Sequence, residues 1–459
     1  MLRFNNKHNT LEPEEHYFRV NDVAQPDLFR DIYPYDKIPK IPFNYRLTPM
    51  NMPAEIWITD TTFRDGQQSR PPYTVQQIVD LYDLIHKLGG KKGLIRQCEF
   101  FLYNEKDKEA VRKCMERGYD YPEVTGWIRA VKSDFKLAKE MGLKETGILC
   151  SASDYHIFLK LKKTRKQAME MYLDIVRAAL DEGIIPRCHF EDITRADLYG
   201  FVIPFAKELM KLSCESNTPI KIRACDTMGM GVSYPGAAVP RSVPGIIYGL
   251  THFADVPSEY LEWHGHNDLY LAVSNATAAW LYGCGTINGT LLGLGERTGN
   301  TPIEALVIEY LALRGDDDLV DTTVITEIAD YYRNEIGYEI PPNQPLVGSE
   351  FNVTRAGIHS DGLLKNEEIY NIFDTAKLLN RPIGVSVTDK SGIAGIIQWV
   401  DIYFGLKEGK KIPKDNEGVS RIKDWIDEQY ANGRITSISD KEMVEQVRLH
   451  LKDHVDLTT

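Results

Sequence analysis

Tyr260-Leu261-Glu262-Trp263-His264-Gly265-His266-Asn267-Asp268 sets two histidines two residues apart at the end of a short apolar run. In a strand, side chains i and i+2 share a face, so His264 and His266 aim two imidazoles at one point. That is half of a 2-His-1-carboxylate metal site. The missing carboxylate has a candidate far upstream, Asp65 in Thr59-Asp60-Thr61-Thr62-Phe63-Arg64-Asp65-Gly66. A His-x-His by itself reads as two polar strand-end residues. The second stretch reverses that balance.

Outward from this run, short apolar segments alternate with longer amphipathic ones. Strands are expected at 55–59, 94–99, 123–127, 146–150, 185–190, 220–224, 260–263 and 286–290. Helix-like segments fall between them, as at 75–88, 165–182 and 269–283. In 165–182 the apolar positions Ala168, Met171, Tyr172, Ile175, Val176 and Ala179 follow the 3.6-residue period. Eight β/α units over about 260 residues predict an α/β fold of the TIM (β/α)8 type. A doubly wound open sheet is the alternative, but no Gly-x-Gly-x-x-Gly follows the first strand. In a barrel, sites lie at the C-terminal ends of the strands. Asp65 lies just past the first strand, and His264 and His266 end the seventh. Strands one and seven are near neighbours across the closure, so the three side chains can converge on one ion.

Three regions are expected: an arm (1–50), the barrel (51–318) and a mainly helical appendage (319–459). The arm is polar and carries Pro26, Pro34, Pro39 and Pro42, which favour an extended strap or a subunit contact over a helix. Asp316-Asp317-Asp318 marks the second boundary, and Glu339-Ile340-Pro341-Pro342-Asn343-Gln344-Pro345 is a stiff connector.

Composition narrows the class. The 459 residues are 43% apolar and 26% charged, as in soluble globular proteins. A net charge of −12 opposes nucleic-acid binding and requires a local positive patch for any anionic substrate. The start lacks an apolar core of signal-peptide length, and no run is long enough to span a membrane. Seven scattered cysteines without a Cys-x-x-Cys read as reduced, mostly buried thiols of a cytoplasmic protein.

Six motifs in this order resemble one family. They are Asp60-Thr61-Thr62-Phe63-Arg64-Asp65-Gly66-Gln67-Gln68, Phe190-Glu191-Asp192-Ile193-Thr194-Arg195, Asp226-Thr227-Met228-Gly229, His264-Gly265-His266-Asn267-Asp268, Gly293-Leu294-Gly295-Glu296-Arg297-Thr298-Gly299-Asn300 and Gly357-Ile358-His359-Ser360-Asp361-Gly362. Together they resemble the metal-dependent acyl-CoA condensing and lyase barrels that include isopropylmalate, homocitrate and Re-type citrate synthases. The resemblance implies that Asp65, His264 and His266 ligate a divalent cation (Mn, Co, Mg or Zn), with Asn300 at or beside it. It implies that Arg64 stabilises negative charge, and that Gln68, Glu99, Arg129, His156, Glu191 and Thr227 line a 2-oxo acid pocket, with Glu191 also counted as catalytic. It places His359 in the region of the catalytic base, with Tyr370 nearby. It further implies acetyl-CoA as co-substrate and a homodimer in which the appendage reaches the partner barrel. A 2-oxo acid can chelate a cation that polarises its carbonyl. Removing the acetyl methyl proton needs a base and an enolate stabiliser together.

The chain also departs from the synthases. Lys390 stands in Thr388-Asp389-Lys390-Ser391-Gly392 where a histidine is usual, and Phe100-Phe101-Leu102 replaces Gly-Phe-Pro. The chain ends before the leucine-binding regulatory domain of isopropylmalate synthases, which implies no leucine feedback. With the long arm, these features resemble the Re-type citrate synthase branch most closely, with oxaloacetate as the preferred 2-oxo acid. Arg187 matches a homocitrate-synthase arginine that could bind a second carboxylate. Lys160-Leu161-Lys162-Lys163-Thr164-Arg165-Lys166 could meet coenzyme A phosphates or simply be a solvated helix start. Other readings are homocitrate or isopropylmalate synthesis, a hydroxyacyl-CoA lyase, whose reactive glycine-loop cysteine is absent here, and a non-catalytic metal-binding barrel.

Overall fold

The structure is a computed structural model that describes residues 2–5, 10–13, 18–315, 319–354, 357–406, 411–452 and 454–455. Eight parallel strands close a barrel: β1 (Trp57–Asp60), β2 (Ile95–Phe101), β3 (Glu123–Ile128), β4 (Glu145–Ser151), β5 (Ile185–Glu191), β6 (Lys221–Asp226), β7 (Leu261–Gly265) and β8 (Thr286–Gly289). Every one falls within two residues of its expected place. β8 pairs with both β1 and β7, so the first and seventh strands flank one strand at the closure.

A helix follows each strand: α1 (Val75–Gly89), α2 (Glu105–Met115), α3 (Phe135–Glu140), α4 (Arg165–Asp181), α5 (Ile203–Ser216), α6 (Val243–Tyr248), α7 (Ala272–Leu281) and α8 (Ile303–Arg314). Local chemistry sets their limits. Thr74 with Gln77 and Thr164 with Gln167 form capping boxes at the starts of α1 and α4. Ile78, Leu81, Tyr82, Ile85 and Leu88 of α1 are buried at helical spacing against the sheet.

The strands alternate in an unusual sense. Cys98, Phe100, Cys188, Phe190, Ile222, Ala224, Leu261 and Trp263 are buried apolar residues. The residues between them, Gln97, Glu99, Arg187, His189, Arg223 and Glu262, are equally buried and charged or polar. The apolar core is therefore the layer between sheet and helices, and the barrel lumen is ionic where branched aliphatic layers are common. Arg223 pairs with Glu99 (3.0 Å) and Glu262 (2.9 Å), and Arg187 with Glu99 (3.4 Å), Glu262 (3.4 Å) and Glu145. Burial would raise the carboxyl pKa values, but the arginines outweigh it and hold Glu262 at about 2 and Glu99 well below its usual value. Removing any one partner would strand a buried charge.

The arm crosses the loops that follow β4, β5 and β6. Asn21 O accepts from Arg165 (3.0 Å), Asp27 N donates to Asp154 (2.7 Å), and Tyr33 Oη donates to Thr194 O (2.5 Å). Pro39 O and Lys40 O accept from Arg241 (3.1 and 2.7 Å). Within the chain, residues 18–45 are thus a strap on the C-terminal face of the barrel. Leu2–Asn5 and Thr10–Pro13 pair as an antiparallel hairpin.

The chain divides into two compact units, Met1–Val320 and Asp321–Thr459. The Asp316-Asp317-Asp318 boundary lies outside the described residues. The second unit carries α9 (Val324–Asn334), α10 (Gly357–Lys365), α11 (Thr375–Leu379), α12 (Ile393–Tyr403), α13 (Glu417–Ala431) and α14 (Asp440–His450). Ile396, Val400, Val419, Ile422, Ile426, Met443 and Val447 form its core. Lys390 sits in an exposed turn before α12, paired with Asp389 (2.6 Å). No described helix is long and apolar enough to cross a membrane. All seven cysteines are unbridged, and only Cys214 is exposed.

Candidate active site

Asp65, His264 and His266 meet at the C-terminal end of the barrel. Their ligand atoms all lie within 4.8 Å of one another, and all three residues are buried. His264 Nε2 is 3.4 Å from His266 Nε2, and Asp65 Oδ2 is 3.5 and 3.8 Å from the two rings. Asp65 reaches this point because the chain turns sharply after β1, with its N–H donating to Thr61 O (2.9 Å). Gly265 separates the rings so that both face inward. Burial alone would raise the Asp65 carboxyl, but Arg64 and the two imidazoles hold it well below the usual range. Burial pushes the His264 imidazolium pKa down to about 3 and lowers that of His266. An ionised carboxylate and two neutral imidazoles are the protonation states that bind metal. His266 Nδ1 and Asn300 Oδ1 are buried with no partner among the described residues. The donor set fits a divalent cation.

The orientation of His264 is set from behind. Asn288 on β8 donates from Nδ2 to Thr59 Oγ1 (3.0 Å) and to Thr59 O (3.3 Å). Its Oδ1 therefore faces His264 Nδ1, 2.7 Å away. Nδ1 carries the proton, and the lone pair of Nε2 points at Asp65 and His266.

The glycine loop brings up Asn300. Asn300 bridges to His266, and its Nδ2 donates to Asp65 Oδ2 (2.6 Å). Two glycines make that approach possible. A Cβ on Gly295 would lie 2.2 Å from Asn300 Oδ1, and Gly299 has φ +92° with Gly293 O where a Cβ would stand. Arg297 ties the loop to the histidine motif through Asp268 (2.8 Å) and to the turn after β6 through Thr227 O (2.5 Å).

Arg64 lies between metal site and lumen. Nε donates to Glu99 Oε1 (3.0 Å), Nη1 to Asp65 Oδ1 (3.1 Å), and the guanidinium sits 5.7 Å from the Trp127 ring centre. Gln68 follows in an exposed turn. Glu191, at the end of β5, is held by His156 Nδ1 (2.9 Å) and Lys160 Nζ (3.1 Å). The hydrogen bond from His156 and the ammonium of Lys160 outweigh burial and lower its pKa to about 2. Thr227 Oγ1 accepts from Asp192 N (2.8 Å) on the same rim.

Three expected residues stand differently. Arg187 lies four residues below Glu191 on the same inward face of β5, its donors occupied by Glu99, Glu145 and Gln97. A second substrate carboxylate would have to break buried ion pairs to use it, so its place is in the lumen network. Arg129 is largely exposed and turned to Asp134 (2.9 Å). In the run 160–166, Arg165 is buried, bidentate to Asp154 (2.9 Å each) and bonded to Asp197 (2.9 Å), which makes it an anchor of the strap. In the second unit, the exposed His359 and Tyr370 rings lie 4.4 Å apart. Tyr370 is half-exposed.

The roles of Asn288, Asp268 and Arg297 do not show in the sequence. Asn288 falls within an expected strand, where an asparagine reads only as a weak strand former. Its register opposite both Thr59 and His264 is the missing signal.

Residues 55–331 match the HMGL-like family model. The chain is 60% identical over 436 residues to a citrate (Re)-synthase of Syntrophus aciditrophicus, covering 95% of this chain and 69% of that protein. It is 57% identical to a citrate (Re)-synthase of Clostridium kluyveri, covering 93% and 94%. A 2-phosphinomethylmalate synthase of Streptomyces hygroscopicus is 37% identical, covering 92% and 96%. Among solved structures, a hydroxymethylglutaryl-CoA lyase from Pseudomonas aeruginosa shares the fold, with TM-score 0.50 and 19% identity over 63% of this chain and 96% of that one.

Proposed function

The chain belongs to the HMGL-like family, and from that premise we propose that it catalyses Re-type citrate synthesis, joining acetyl-CoA to oxaloacetate and hydrolysing the resulting thioester with water, with release of citrate and coenzyme A. One observation carries this reading. The convergence of Asp65, His264 and His266 beside Arg64 occurs in a chain that matches a citrate (Re)-synthase along nearly the whole length of both.

Asp65, His264 and His266, with Asn300 beside them, would hold a divalent cation; Mn, Co, Mg and Zn all accept this donor set. When bound, the cation acts as a Lewis acid on the keto carbonyl. Arg64, fixed by Glu99 and Asp65, turns its remaining donors toward the charge that develops on the enolate and alkoxide oxygens. Glu191, kept ionised by His156 and Lys160, orders the polar rim with Thr227 and Gln68, where the 2-oxo acid is oriented. The methyl proton of the acetyl group passes to a ring nitrogen of His359, with Tyr370 packed against it. In a homodimer the appendage of one copy would supply that histidine to the other. The reaction runs in the cytoplasm. A lyase that relies on a loop cysteine finds no counterpart, since Cys284 is buried and its thiol donates to Leu261 O and Thr286 O (3.1 Å each).

The test is coenzyme A release from acetyl-CoA with oxaloacetate, 2-oxoglutarate or 2-oxoisovalerate, with and without a chelator. Preference for oxaloacetate, lost on chelation and restored by Mn or Co, is expected. Preference for another 2-oxo acid would move the chain to homocitrate or isopropylmalate synthesis. Release from none would overturn the synthase reading.

A further inference from the structure

Beneath the candidate metal site, the metal ligands and the ionic lumen join in one circuit of hydrogen bonds. On one side, His264 Nδ1 donates to Asn288 Oδ1 (2.7 Å), Asn288 Nδ2 donates to Thr59 Oγ1 (3.0 Å), and Thr59 Oγ1 donates to Glu262 Oε1. On the other, Arg64 donates from Nη1 to Asp65 Oδ1 (3.1 Å) and from Nε to Glu99 Oε1 (3.0 Å). Glu99 Oε1 also accepts from Arg223 Nη1 (3.0 Å), and Arg223 Nη2 donates to Glu262 Oε1 (3.1 Å). Both branches end on one carboxylate, Glu262, two residues before His264 on the same inward face of β7. Thr59, Glu99, Arg223, Glu262 and Asn288 are all buried.

Glu262 could be a plain lumen anion, neutralising Arg223 (2.9 Å) and Arg187 (3.4 Å). Its place in the circuit asks more of it. A carboxylate flanked by two guanidiniums is ionised and only accepts. It therefore takes the single hydroxyl proton of Thr59. Thr59 Oγ1 then offers Asn288 lone pairs alone, so the asparagine presents its NH2 to Thr59 and its carbonyl to His264. A carbonyl facing Nδ1 requires the proton on Nδ1, which leaves the Nε2 lone pair for the cation. The direction of every hydrogen along this branch is thus set from its Glu262 end.

We propose that Glu262 is a positioning residue of the metal site. It fixes the tautomer of His264 through Thr59 and Asn288, and it holds Arg64 through Arg223 and Glu99. The assignment rests on the reading of Asp65, His264 and His266 as the cation site.

Glu262→Gln keeps the size of the side chain and replaces one acceptor with a donor. The two arginines draw the amide oxygen, so the NH2 faces Thr59 and the branch reverses. Thr59 then donates to Asn288, whose NH2 turns to His264 and leaves the imidazole proton on Nε2. The first readout is nitrogen NMR of the metal-free, full-length protein labelled at histidine, with the His264 signal assigned by its loss in His264→Gln. Wild type should carry the proton on Nδ1 and Glu262→Gln mainly on Nε2. The second is titration with Mn(II) alone, reading the free ion by electron paramagnetic resonance; Glu262→Gln should bind ten- to a hundredfold more weakly. At saturating Mn(II), kcat for citrate formation should also fall about tenfold, through Arg64.

Thr59→Val covers the case in which Glu262→Gln does not fold. It cuts the His264 branch and leaves the Glu262–Arg223 pair in place, so Mn(II) affinity should fall about tenfold, while Thr59→Ser, which keeps the hydroxyl, should stay within twofold of wild type. Ile287→Ala removes a buried apolar neighbour of Asn288 outside the circuit; it should lower stability without moving Mn(II) affinity or the tautomer. Wild-type tautomer and affinity in the folded Glu262 and Thr59→Val variants, or an equal loss of affinity in Ile287→Ala, would overturn the proposal. Failure of the wild-type protein itself to bind Mn(II) would fail the metal-site reading instead.

Discussion

Replacing Asn288 with alanine should loosen the metal site without unfolding the barrel. Its amide joins three groups: Nδ2 donates to Thr59 Oγ1 (3.0 Å) and Thr59 O (3.3 Å), and Oδ1 accepts from His264 Nδ1 (2.7 Å). Without it the His264 ring can rotate or change tautomer, and its Nε2 lone pair no longer points reliably at Asp65 and His266. Loss of such an outer hydrogen bond typically costs ten- to a hundredfold in metal affinity, about 1.4 to 2.8 kcal/mol. The stranded His264 N–H and Thr59 oxygens cost a further ~1–3 kcal/mol of folding stability. The assay is competition against a chromophoric chelator, using protein stripped of metal, with circular dichroism to confirm folding. Asn288→Asp keeps an acceptor for His264 and should lie between wild type and alanine. A folded Asn288→Ala protein that binds metal within twofold of wild type would refute the argument.

Other substitutions test the neighbouring groups. Arg64→Lys keeps the charge but loses the fork that engages Glu99 and Asp65 together, so kcat should fall by about 10²–10³ with metal affinity little altered. Gly295→Ala drives a Cβ into Asn300 and should lower metal affinity about tenfold, read in the same chelator competition. Glu304 is a buried carboxyl at the start of α8, pushed up by burial to about 7 from 4.5, and its Oε2 accepts from Leu292 N (3.1 Å). Because the folded pKa exceeds the unfolded one, its contribution is full below pH 4.5 and is lost as pH rises through 7. Glu304→Gln should therefore stabilise the protein at pH 8 relative to pH 5 by up to about 3 kcal/mol in denaturant unfolding, and equal effects at both pH values would contradict this.

The barrel was legible because its outward residues are apolar and its helices amphipathic, so two periods alternate along the chain. The pairing of Asp65 with His264 and His266 was legible because strand-end geometry converts i, i+2 spacing into convergence. What lay hidden depends on contacts between distant strands. Arg187 reads as a substrate cation until Glu99, Glu145 and Glu262 are seen to surround it. Arg165 belongs to a run that resembles a phosphate site, yet Asp154 and Asp197 claim it for the strap. Asn288 acquires a role only from its register between β1 and β7. Periodicity reports which face a residue occupies, and partner identity across the lumen is a tertiary fact.

The most direct measurement is the fate of label from isotopically marked acetyl-CoA incubated with oxaloacetate and the metal-loaded protein. The account predicts labelled citrate whose acetyl carbons were added at the Re face of the carbonyl, as read by cleavage with a citrate-cleaving enzyme of known stereospecificity. It also predicts no citrate from Asp65→Ala or after chelation. Si-face label, or undiminished citrate from the stripped protein, would contradict it.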